Sequence, residues 1–209
     1  MTRSFKPIRR KADTRIMTRM NYVFVDFENV QEEDWERIAG KPVKVLLILG
    51  VQQKNLPAQL VRKLLKVANQ VQLVETKQAG KNALDIVLAQ YVGAVRVEDP
   101  AGYFHIVSKD TGFDALVSHL RDGGTLARRH ARFSHIPVLM SAEERVSVVI
   151  EDLKKNPETR PKKRPALESK IQARFGRSLS ESDMAETICG LVRNQTVTLL
   201  DSGDVKYAA

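Results

Sequence analysis

Between Tyr22 and Leu153, short apolar runs alternate with helix-compatible segments, and this alternation leaves few folds open to the chain. Tyr22–Asp26 is a strand-like run ending in an acid. Gln31–Ala39 is compatible with a helix, which Gly40 stops. Val43–Leu49 is a second run, rich in branched residues, and suits a strand covered on both faces. Pro57 opens a helix with Leu60, Leu64, Leu65 and Ala68 on one side. Val71–Val74 reads as a third strand. After Gly80, Leu84, Val87, Leu88 and Tyr91 form the stripe of another helix. Tyr103–Val107 is a fourth strand, Phe113–Leu120 a helix stopped at Gly123-Gly124, Thr125–Arg128 a fifth strand, and Ala142–Leu153 a last helix. Strands separated by single helices require parallel pairing through right-handed crossovers. The expected fold is α/β: a three-layer α/β/α sandwich around a parallel five-strand sheet of order 3-2-1-4-5, occupying residues 21–153.

A second unit follows. Pro157, Pro161 and Pro165 punctuate a charged stretch, which marks a basic linker at 154–164. Beyond it, Leu167, Ile171 and Phe175 share a helical face. Ser180-Glu-Ser-Asp183 is a helix-start box, with Leu179 and Met184 placed as a hydrophobic staple. Thr196–Leu200 and Val205–Tyr207 flank a Ser-Gly turn and read as a hairpin. Residues 165–209 are therefore expected to form a small α+β module resembling a truncated winged helix or helix-turn-helix. Its second helix, 181–193, offers Glu181, Asp183 and Glu186 against Arg193, a poor set for reading DNA bases. Contact with a protein partner, homodimerisation, or RNA contact through the wing suits it better.

The chain carries 34 Lys and Arg against 25 Asp and Glu. The excess is concentrated in residues 1–20, with seven basic side chains and one acid, and in 154–164, with six and one. The two intervening bodies are nearly neutral. Such segments attract phosphate polyanions, nucleic acid foremost. Residues 1–20 lack the apolar core of a secretory signal; Met17 and Met20 offer later starts, and a disordered basic tail is preferred to a targeting segment. No run is apolar for the ~20 residues a membrane span needs. The single cysteine, Cys189, excludes an intramolecular disulfide framework and a cysteine zinc cage, and fits a reducing, cytoplasmic setting.

Four acids stand out by position. Asp26 and Asp110 close the first and fourth strands, which are neighbours at the switch point of a 3-2-1-4-5 sheet, where a crevice opens. Asp114 lies one helical turn beyond Asp110. Asp85 interrupts an apolar helix start, with Lys81 and Asn82 beside it. Crowded carboxylates repel, and a hard divalent cation, Mg²⁺ or Mn²⁺, relieves the repulsion. Such an ion can also activate water and stabilise the leaving oxygen of a phosphodiester.

Three segments, Val23-Phe-Val-Asp-Phe-Glu-Asn-Val30, Gly80-Lys-Asn-Ala-Leu-Asp85 and Val107-Ser-Lys-Asp-Thr-Gly-Phe-Asp114, together resemble the motifs of PIN-like nucleases, particularly the NYN branch. The resemblance spans residues 21–150. It implies a five-strand parallel sheet, an acidic metal site and endoribonuclease activity leaving 5′-phosphate and 3′-hydroxyl ends. It also implies that Asp26, Asp85, Asp110 and Asp114 bind the metal, that Asn29 orients a ligand or the scissile phosphate, and that Ser108 or Thr111 supports the site. One departure is Gly112, where NYN relatives often carry an acid, with Asp114 as the candidate substitute. Lys81, Lys109, Arg128, Arg129, Arg132, Lys162, Lys163 and Arg164 are the expected contacts to RNA, single-stranded or structured, with Arg121 and His130 nearby. His105 and Trp35 read as structural. The rival readings are a catalytically inactive PIN-like scaffold that binds RNA or protein, and a phosphoacceptor receiver domain. The latter lacks an acceptor Asp after the third strand, where Glu75-Thr76-Lys77 stands.

Overall fold

The computed structural model of the protein describes residues 19–31 and 34–208. Five parallel strands, β1 (Asn21–Asp26), β2 (Val43–Leu49), β3 (Val71–Glu75), β4 (Tyr103–Val107) and β5 (Leu126–His130), form one sheet of order β3-β2-β1-β4-β5, as expected. Helices α1 (Ala58–Leu65), α2 (Ala83–Glu98) and α3 (Phe113–Asp122) are the crossovers. Alternation along β1 explains how the strand is buried on both faces. Val23 and Val25 join Val45, Leu47, Leu60, Leu64, Trp35 and Phe133 on one side. Phe24 joins Leu46, Ile48, Phe104, Leu88 of α2 and Val117 of α3 on the other. Trp35 packs on Phe133 with ring centroids 5.2 Å apart.

The connection between β1 and β2 holds less helix than its sequence suggests. Among the described residues of Gln31–Ala39 there is a single 3₁₀ turn, Trp35–Ile38, with Trp35 and Ile38 both buried. The chain then turns at Gly40 (φ +70°) to enter β2.

The C-terminal body contains α4 (Ala142–Lys155), α5 (Arg164–Arg174), α6 (Glu181–Arg193) and the antiparallel pair β6 (Val197–Leu199) and β7 (Val205–Tyr207). Two expected boundaries move. Helix α4, assigned from sequence to the first domain, sends Val146, Val149 and Leu153 into a core shared with Leu167, Ile171, Met184, Ile188 and Leu191. Its apolar stripe looks the same from sequence whichever body it serves; α6 supplies the matching face. There Gly190 permits close approach, since a Cβ would lie 2.5 Å from Val146 Cγ2. The expected linker 154–164 is no free tether either. The Val205 amide donates to Lys162 O (2.9 Å), the Arg164 amide to Gly203 O (3.0 Å) and the Tyr207 hydroxyl to Pro161 O (2.7 Å). Its backbone is thereby paired with the hairpin, satisfying groups a tether leaves to water.

Capping boxes at Ser141–Glu144 and Ser180–Asp183 start α4 and α6. Between these helices Arg145 is 2% exposed, bound to Asp183 (3.0 Å), Glu186 (2.9 Å) and Met140 O (2.9 Å). The two bodies touch through Arg37–Glu144 (2.6 Å) and Arg128 Nη1 to Arg174 O (3.3 Å). The expected basic tail, apart from Arg19 and Met20, lies outside the described residues. Among the described residues no helix is long and apolar enough to cross a membrane.

Candidate active site

Asp26 ends β1 and is fully buried. A buried carboxylate needs donors, and three supply them. Ser108 Oγ donates to Oδ2 (2.7 Å), Asn29 Nδ2 to the same oxygen (2.6 Å), and the Asn29 amide to Oδ1 (3.2 Å). Asn29 reaches back because the chain turns directly after the strand, with the Val30 amide on Asp26 O (2.9 Å). Ser108 follows the last residue of β4 and also accepts the Asp110 amide on its hydroxyl (3.0 Å). One serine hydroxyl thus joins the tips of β1 and β4 at the switch point. Of the two supporting residues left open by sequence, Ser108 is the one hydrogen-bonded to Asp26.

Asp110 folds back onto the start of α3, its Oδ1 accepting the Gly112 amide (2.7 Å). Gly112 makes room for this: a Cβ there would sit 3.1 Å from that oxygen. Asp85 projects from the first turn of α2 and is half-buried. Asn82, which precedes α2, has φ +60°, a left-handed conformation that asparagine tolerates better than most residues. Burial, then the negative charges of Asp26 and Asp110, push the Asp85 carboxyl above its ordinary range. Asp85 and Asp110 line a cleft of about 370 Å³ together with Glu28, Asn29, Thr76 and Asn82. Lys81 and Lys109 are exposed in the loops that carry Asn82 and Asp110. Among the described residues, Asp26, Asp85 and Asp110 have no Lys, Arg or His within ion-pair distance.

A family model described as PIN domain matches residues 20–130, over half of the chain. The protein belongs to the PIN-domain family. No curated protein and no solved structure gives a significant match. PIN-domain membership points to nuclease-like activity in general and to interaction with RNA.

Within this PIN domain the four-aspartate cradle expected from sequence is not assembled. Asp114 is turned away. Arg129 grips it with Nε (2.7 Å) and Nη2 (3.1 Å), while Nη1 holds Ser108 O (3.0 Å). The bidentate pairing holds the Asp114 carboxyl below the usual carboxylate range. Asp114 lines a separate hollow with Arg121, Arg128 and Arg174. One helical turn from Asp110 placed it near in sequence, but the Arg on neighbouring β5 captured it. Among the described residues no group of three or more His, Cys, Asp or Glu is positioned to hold a metal ion. Asp26, Asp85 and Asp110 nonetheless offer hard oxygen donors, the kind that Mg²⁺ and Mn²⁺ take, and among the described residues no side-chain cation neutralises them.

The expected RNA contacts divide. Lys81 and Lys109 stand by the cleft. Arg128 and Arg129 are half-buried beside the Asp114 hollow, and Arg132 is exposed just after β5. Lys163 pairs with Asp204 (2.9 Å) and Arg164 with Glu168 (2.9 Å), so both serve the C-terminal body, where Lys162 is exposed. Arg174 and Arg177 escaped the sequence reading; no local motif joins residues of α5 and its following turn to β5.

Proposed function

We propose that the protein is a metal-dependent endoribonuclease that takes Mg²⁺ or Mn²⁺ at Asp26, Asp85 and Asp110. The observation that carries this reading is a set of three carboxylates, unneutralised by any described cation, at the carboxyl ends of β1 and β4 and the start of α2: Asp85 and Asp110 line the cleft, and Asp26 is buried at the tip of β1, held by Asn29, which also lines it. The ion, when bound, would supply Lewis acidity that activates water and stabilises the departing oxygen of the phosphodiester. Asp26, locked by Ser108 and Asn29, is the fixed member of the set. Asn29 has a second Nδ2 hydrogen free to meet a phosphate oxygen once the first is committed to Asp26. Burial and the charges of Asp26 and Asp110 push the Asp85 carboxyl above its ordinary range, a repulsion that a bound cation would relieve. Lys81 and Lys109 draw the RNA backbone towards an otherwise repulsive acidic cleft. Cleavage would leave 5′-phosphate and 3′-hydroxyl ends. We read the C-terminal body as a winged-helix-like module that selects the RNA or a protein partner.

The test is cleavage of RNA by the purified protein in Mn²⁺, with Asp26→Asn and Asp110→Asn alongside. Loss of at least two orders of magnitude is expected for each; activity surviving both changes rejects the site. The capture of Asp114 by Arg129 favours a second reading, a PIN scaffold that binds RNA without cutting it. That reading requires RNA binding with no cleavage at any Mn²⁺ concentration.

A further inference from the structure

The hollow that holds Asp114 lies between the two bodies. Its volume is about 530 Å³, and it continues into a neighbouring hollow of about 410 Å³ with which it shares Tyr103, Arg121, Ala173 and Gly176. Five arginines line the pair: Arg121 from α3, Arg128 and Arg129 from β5, Arg174 from the end of α5, and Arg177 beyond it. The lining acid is Asp114, and Arg129 already neutralises it. Among the described residues, Arg121, Arg128, Arg174 and Arg177 make no salt bridge. Arg121 donates to Ala127 O (2.7 Å) and Arg128 to Arg174 O (3.3 Å), which orients each guanidinium and leaves most of its five donors unused. Four like charges facing a shared space repel until an anion enters.

We infer that this inter-body trough holds the phosphodiester backbone of single-stranded RNA on its way to the acidic cleft, with the C-terminal body supplying Arg174 and Arg177. The proposal rests on the nuclease reading for the identity of the polyanion. Two features select this ligand. Four unpaired cations spread over two connected hollows suit a run of phosphates better than one. Arg129 connects it to the site, since it binds Ser108 O while Ser108 Oγ binds Asp26. Guanidinium forks suit phosphate oxygens through paired N–H donors. The C-terminal body thereby completes a substrate path that the PIN domain alone leaves half-built.

The experiment measures binding apart from chemistry. A fluorescein-labelled uridine 12-mer is titrated with full-length protein in EDTA, and anisotropy is read from 50 to 300 mM salt. The double variant Arg174→Ala, Arg177→Asn changes two exposed side chains; asparagine is chosen because residue 177 has φ +59°. Binding is expected to weaken about tenfold at 100 mM salt, and the slope of log affinity on log salt to flatten by roughly 1.4, about 0.7 per lost phosphate contact. Lys44→Ala with Arg62→Ala removes the same charge from exposed positions on β2 and α1, which line neither hollow, and is the control. Unchanged affinity and slope in the first variant, with wild-type circular dichroism, overturn the proposal. An equal loss in both variants also overturns it, because net charge alone would then explain binding. Divalent ions are absent, so failure to cleave in Mn²⁺ defeats the nuclease reading and leaves this result standing.

Discussion

Mild acidification should destabilise this protein through two imidazoles buried in its sheet. His105 of β4 is completely buried, and His130 of β5 nearly so. Asn21 Nδ2 donates to Arg19 O and Pro42 O, so its Oδ1 faces His105 Nε2 at 3.0 Å, and that nitrogen carries the hydrogen. The bare His105 Nδ1 then accepts from His130 Nε2 at 3.1 Å. Both rings are neutral links in a polar chain. Burial, with a smaller contribution from Arg128, drives His105 down to about 3; burial, then His105 and Arg128, drive His130 well below its ordinary value of 6.5. In the unfolded chain both rings take a proton near pH 6.5, while the folded protein refuses it. The unfolded state therefore binds more protons below that pH, and stability falls as pH falls. Between pH 7 and pH 5.5 each ring costs about 1.3 kcal/mol, so the pair costs about 2.5 kcal/mol. Urea denaturation at four pH values in this window reads the loss directly, and His105→Gln should roughly halve the slope. Stability that stays flat across the window, or a slope untouched by the substitution, would refute the assignment of two buried neutral rings.

Asp85→Asn should raise metal-free stability by about 1 kcal/mol, because it removes a half-buried charge repelled by Asp26 and Asp110. The same change should abolish any rise of Tm in Mn²⁺; a retained rise would remove Asp85 from the ion site. The raised Asp85 carboxyl binds a proton on folding just above its unfolded value, so its contribution declines as pH rises there, opposite in sign to the imidazoles. Arg145→Ala should cost about 2–3 kcal/mol: the guanidinium is buried, but Asp183 and Glu186 are exposed enough to recover water. A Tm within a degree of wild type would show that the cluster does not hold α4 to α6.

Much of the fold was legible because its signals are local. Near-continuous apolar strands with one helix between each pair admit a doubly covered parallel sheet, and this placed Asp26 and Asp110 at one end of it. The Ser180–Asp183 box marked α6 because a cap is satisfied within four residues. The segment Gln31–Ala39 misled because its polar, helix-compatible pattern carries no record that Trp35 and Ile38 are both drawn into the core beside Phe133.

The site divides along the same line. Sequence alone determined which carboxylates sit at strand ends and helix starts, since those positions follow from the periodicity of a few consecutive residues. Tertiary structure decided which of them remain unpaired. Arg129 reaches Asp114 from a neighbouring strand, α4 finds its core across the chain in α6, and Arg174 meets Arg128 only when the two bodies pack. Charge pairing acts through space over a few ångströms, so its outcome belongs to the packed molecule and not to the order of residues along it.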